Sequence, residues 1–127
     1  MTLLAVALGG ALGAVSRFLV GGWVQSLAGD GLPWGTLSVN VIGSMMLGFL
    51  MVWLHASTTS AELRQFLVVG LLGSFTTFST YSYETVTLIR EGDLARAGAY
   101  ALGSVIVGLL AVVIGAAIAS GVSETRG

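Results

Sequence analysis

Four apolar stretches, Leu3–Leu27, Leu32–Leu54, Leu63–Ile89 and Leu94–Ser120, fill most of this 127-residue chain, with only short polar breaks at Ala28–Gly31, His55–Glu62 and Arg90–Asp93. A helix needs about 20 residues to cross a hydrocarbon core, and each stretch is that long. Inside a bilayer a backbone must satisfy its own polar groups, which leaves helices as the form such stretches can take. Breaks this short make neighbouring helices antiparallel. The expected fold is therefore an all-α membrane protein with a single four-helix transmembrane domain over residues 1–127 and both termini on one side. The first stretch lacks a basic leader and runs well past the roughly 7–15 apolar residues of a signal peptide, so it is read as a retained span.

Composition narrows the function classes. Only 9% of residues are charged and 55% are hydrophobic, against roughly 25% charged in a soluble domain. A net charge of −1 provides no basic patch to neutralise phosphates, so nucleic acid is not an expected partner. The chain has no cysteine, which removes disulfides, thiolate metal sites and thiol catalysis. His55 is the lone histidine and sits at a helix end, and no carboxylate pair, metal-ligand cluster or phosphate-binding loop occurs. The expectation is not an enzyme.

One stretch has the wrong chemistry for facing lipid. Gly73–Thr85 reads GSFTTFSTYSYET, and ten of its thirteen residues carry a hydroxyl or carboxylate. Polar groups at membrane depth are costly unless they line protein or water, so this run marks a pathway or a packed polar seam. On a continuous helix Phe75, Phe78 and Tyr81 would share one slowly drifting face, and Thr76, Thr80 and Glu84 another. Gly73 and the hydroxyl side chains also make a local break in the helix plausible, which would free carbonyls able to bind a cation.

Other helices carry small or polar stripes at four-residue spacing: Gly9, Gly13, Arg17 and Gly21; Thr36, Asn40, Ser44 and Gly48; Tyr100, Ser104 and Gly108. Close helix packing accounts for the glycines. The Asn40 amide needs partners in a span and offers donors either to an anion or to a neighbouring helix. Arg17 is the one cation well inside a span. It can snorkel, pair with Glu84, or hold positive potential at the mouth of an aqueous vestibule.

These residues resemble the Fluc/CrcB family of fluoride channels. The resemblance covers almost the whole chain and rests on Gly10–Phe18 (GALGAVSRF), Gly35–Gly43 (GTLSVNVIG) and Gly70–Thr85 (GLLGSFTTFSTYSYET). It implies a broken third helix and an antiparallel, dual-topology homodimer in the plasma (inner) membrane, passing fluoride passively through two pores. It further implies a structural sodium ion at the dimer centre, held by backbone carbonyls that match Gly73 and Thr76. Asn40 and Phe78 match residues that contact fluoride, and Tyr81 stands where the family has a second phenylalanine. Tyr100 and Ser104 match a polar track, and Thr36, Ser79 and Thr80 match hydroxyls near the route. Arg17 and Glu84 match a vestibule arginine and a glutamate beside the polar run. Two positions depart from the pattern: Tyr81 adds a hydroxyl to the ring, and Gly108 replaces a frequent serine.

Charge bias leaves orientation open. Arg64 and Arg126 lie on the terminus side and Arg90 and Arg96 opposite, so the excess of basic residues that normally orients a membrane protein is missing. Such a chain can insert both ways and pair with its inverted twin, or follow weaker cues in one orientation. Two rival functions remain. A small multidrug-type proton-coupled exporter would need an acid in the first helix, where this chain has only Arg17. A non-transporting membrane scaffold would need nothing beyond the small-residue stripes.

Overall fold

In the computed structural model, which describes residues 1–125, every regular element is helical and no strand occurs among the described residues. Arg126, counted above for orientation, lies outside them. Three helices are long and apolar enough to cross a membrane: α1 (Thr2–Ala28), α2 (Trp34–His55) and α6 (Leu94–Glu124). Their ends follow local chemistry. Gly29 and Gly92 adopt φ of 81° and 80° where the chain leaves α1 and the helix before α6, a region that side chains with a Cβ avoid. The Asp93 side chain accepts the Arg96 N–H at 3.0 Å and caps α6.

The third apolar stretch differs from the single helix its length suggests. It consists of α3 (Ala61–Arg64), a π-helical run (Gln65–Leu72), α4 (Gly73–Phe75) and α5 (Phe78–Arg90). Between α4 and α5 the backbone is extended, with ψ 154° at Thr76 and φ −148°, ψ 113° at Thr77. Both residues are β-branched and at home in extended backbone. Thr77 also supplies a cap, its Oγ1 accepting the Thr80 N–H at 3.3 Å. A threonine side chain that bonds a nearby N–H competes with the helix ladder, and here it starts a new helix.

Helix α2 is central, packed along α6 on one side and against α1 on the other. The third pass crosses it: the π-helical run and α4 lie on α1, whereas α5 lies on α6. Glycines let these backbones approach. A Cβ at Gly48 would overlap the Val112 carbonyl, one at Gly115 the Met45 carbonyl, and ones at Gly9 and Gly13 the Phe66 and Leu71 carbonyls. Large apolar side chains such as Leu12, Phe18, Leu102, Leu109 and Val113 point outward, as expected of helices facing lipid. The chain is a multi-pass membrane protein.

Candidate functional site

The interruption of the third pass lies against α2, and one side chain of α2 binds it. Asn40 Nδ2 donates to the Thr77 carbonyl at 3.1 Å, and its Oδ1 accepts the Thr77 N–H at 2.7 Å. Thr77 is buried, so these backbone groups need partners once the helix is interrupted. The same bonds release carbonyls upstream. Thr77 N–H would have closed a helical turn on Gly73, and Thr80 N–H one on Thr76, but they bond Asn40 and the Thr77 hydroxyl instead.

Two open-sided clefts meet at Thr77. The smaller, about 330 Å³, lies between α2, α6 and the interruption, and its lining includes Asn40, Ser44, Gly73, Thr76, Phe78 and Ser104. The larger, about 570 Å³, lies between α1, α2 and α5 and includes Arg17, Gln25, Thr36, Thr80 and Glu84.

Each cleft has its own polar organisation. At one edge of the larger cleft the Glu84 carboxylate accepts the Thr36 hydroxyl at 2.7 Å and the Tyr100 hydroxyl at 2.6 Å, joining α2, α5 and α6. Two short hydrogen bonds to one carboxyl group tie three helices together at this junction. Rings line the other side of α5: Phe78 and Tyr81 lie 5.5 Å apart between centroids, and Tyr81 and Tyr100 5.4 Å. Phe78 is 78% exposed, whereas Tyr100 is buried. In the smaller cleft the Ser104 hydroxyl is buried and has no hydrogen-bond partner.

Residues 4–116 match the family model described as CrcB-like protein, Camphor Resistance (CrcB). The chain belongs to the CrcB family. It is 48% identical over 112 residues to a protein of Thermus thermophilus named fluoride-specific ion channel FluC, covering 88% of each chain. Proteins with the same name from Syntrophotalea carbinolica and Agrobacterium fabrum are 50% and 46% identical, over 87% and 89% of this chain and 90% and 91% of theirs.

In this CrcB-family chain the sequence-expected residues fall into two groups. Asn40, Phe78, Tyr81 and Ser104 border the smaller cleft together with Gly73 and Thr76. Arg17, Thr36, Thr80 and Glu84 border the larger one. Ser79 lies in the first turn of α5, its Oγ 3.4 Å from the Thr77 hydroxyl, and Tyr100 reaches the larger cleft through Glu84. The expected stripes are cut, because extended backbone at Thr76 and Thr77 resets the helical phase. Phe75 is buried near Gly43 of α2, away from the Phe78–Tyr81 pair, and Thr76 is parted from Thr80 and Glu84. The Tyr81 hydroxyl donates to the Ala101 carbonyl at 2.8 Å. Arg17 makes no ion pair with Glu84; among the described residues the one ion pair is Asp93–Arg96.

Sequence reasoning missed Gln25. Its amide donates to the Gly29 and Leu32 carbonyls at 2.6 and 3.1 Å and accepts the Gly35 N–H at 2.9 Å, fastening the α1–α2 corner beside the larger cleft. An amide in a helix's last turn before a glycine loop was the available signal. No group of three or more acidic, histidine or cysteine residues able to hold a metal occurs among the described residues. A cation here would rest on backbone and hydroxyl oxygens.

Proposed function

We propose that the chain is a passive fluoride-selective channel subunit, working as an antiparallel, dual-topology homodimer with two pores in the plasma (inner) membrane. The observation that carries this reading is the 48% identity across 88% of the chain to a protein named a fluoride-specific ion channel. The site chemistry agrees with it. Fluoride is small and strongly hydrated, so a pore must replace its water with directed donors. The smaller cleft offers the second Nδ2–H of Asn40, the Ser104 hydroxyl and the positively polarised edge of the Phe78 ring. Donors spread along a path bind an ion without trapping it, as conduction requires. Half-buried Arg17 in the larger cleft supplies positive potential to draw anions toward Thr77.

An exposed Phe78 beside an extended backbone segment suits contact with a second, inverted copy. The Gly73 and Thr76 carbonyls, freed of their helical donors, fit a hard monovalent cation such as sodium at the centre of that dimer. Its chemistry would be positive charge that balances the converging carbonyl dipoles. Export needs no coupling ion. Hydrogen fluoride enters as a neutral acid and dissociates inside, and an inside-negative membrane drives the anion out through an open path.

Efflux from liposomes holding the purified chain tests the proposal, read with a fluoride electrode under an imposed potential and with chloride as control. Fluoride release without chloride release and without a pH gradient is the expected result. Absence of fluoride release would favour a scaffold, and dependence on a proton gradient would favour an exporter.

A further inference from the structure

The smaller cleft contains a second serine hydroxyl beside that of Ser104, from α2. Ser44 lies one turn after Asn40 on α2 and lines the same cleft. The hydroxyls of Ser82, Ser120 and Ser123 each bond back to the carbonyl four residues earlier. Among the described residues Ser44, like Ser16, Ser38 and Ser74, makes no such bond and has no other hydrogen-bond partner, and of these four it alone lines the smaller cleft. Facing it on α6 are Ser104, whose buried hydroxyl is also unpartnered, and Gly108 one turn further along.

The two helices explain why this place is special. Beyond Ser44, α2 and α6 touch backbone to backbone, Gly48 on Val112 and Gly115 on Met45. Asn40, Ser44, Ser104 and Gly108 line the smaller cleft beside these contacts. A Cβ placed on Gly108 would lie 3.9 Å from Ser44 Oγ, ordinary van der Waals contact, so sterics do not demand glycine there. The α6 side of the cleft thus has a hydroxyl at Ser104 and none one turn on, and the hydroxyl at that level comes from α2.

Resting on the channel reading, we infer that Ser44 is a fluoride-contacting residue, donating to the ion at the level where Gly108 contributes no side chain. A hydroxyl without a bond to its own helix has none to break when it turns toward an anion, whereas one engaged with its own helix must first release that bond. Together with Ser104 and the second Nδ2–H of Asn40, it adds a third donor to the lining of the smaller cleft.

Fluoride efflux from liposomes tests this with Ser44→Ala, Ser44→Cys, Gly108→Ser and the Ser44→Ala/Gly108→Ser double variant. Each is checked for wild-type melting temperature and elution volume. Loss of one donor should slow efflux about tenfold or more in Ser44→Ala and in Ser44→Cys, whose thiol is nearly isosteric but a weak donor. Moving the hydroxyl across the cleft in the double variant should restore efflux to within about threefold of wild type. A merely structural serine predicts no such rescue. Wild-type efflux in Ser44→Ala, or a loss that Gly108→Ser leaves uncorrected, overturns the inference while the channel reading stands. A wild-type chain that releases no fluoride sinks both.

Discussion

Asn40 and Phe78 carry most of what happens at the residue scale. Asn40 is a structural clamp and, in the proposed channel, also a donor to the ion, because its amide has one N–H left after bonding both backbone groups of Thr77. Asn40→Ala removes both roles. Leaving the buried Thr77 N–H and carbonyl unpaired costs about 1–3 kcal/mol each, so the variant should melt measurably below wild type and lose fluoride efflux. Wild-type melting would show that the clamp contributes nothing. Phe78 separates the roles, since its exposed ring lies outside the core of its own chain. Phe78→Ile keeps a large apolar side chain for the second copy to pack on, so it should keep the oligomer by light scattering and sharply reduce efflux, and unchanged efflux would reject the ring as an ion contact. The type of these two residues was legible in the sequence, since an amide and a ring beside hydroxyls in a span call for partners. That Asn40 binds Thr77 rather than another side chain was not, because the bond exists only where the third pass crosses α2.

Among the elements, α2 and α6 form the rigid pair and the third pass is the irregular one. The small-residue stripe on α2 already signalled close approach at Gly48, whereas Gly115, which meets the Met45 carbonyl, lay outside the stripe read on α6; which carbonyl each glycine meets depends on helix rotation, which spacing alone leaves free. Gly48→Val should drive its side chain into the Val112 backbone and destabilise by about 1–3 kcal/mol or more, seen as a lower melting temperature in detergent. Gly103→Ala is the control. Open space surrounds Gly103, and alanine gains about 1 kcal/mol in helix propensity, so melting should hold or rise. Equal stability of Gly48→Val and wild type would contradict the packing described. The third pass was harder to read. Its length suggested one span, and its hydroxyls suggested a break without saying where. Thr77 decided the place by pairing a side-chain cap with an interhelical bond.

For the whole molecule, the clefts are open-sided and the Phe78 ring is exposed, and in the proposed dimer the inverted second copy covers them. Basic residues divided evenly between the two sides agree with insertion both ways. Reporters fused to the C-terminus, sensitive to one side of the membrane or the other, should detect both orientations in a single cell population. Detection of one orientation alone would remove the antiparallel dimer. Adding lysines to the Ala28–Gly31 loop should bias insertion, and efflux should then fall as the two orientations become unequal.

Hydropathy and segment length alone determined the class of this protein, because a bilayer leaves an apolar stretch of 20 or more residues almost no choice but helix. Residue type likewise marked Gly73–Thr85 as the polar region. Tertiary structure decided how that region is arranged. The interruption at Thr76 and Thr77 changes the helical phase, so residues at four-residue spacing in the sequence no longer share a face. Only the crossing over α2 brings Asn40 to Thr77 and Glu84 between Thr36 and Tyr100. Those partners lie far apart in the chain, and periodicity within one helix carries no information about how neighbouring helices are rotated against it.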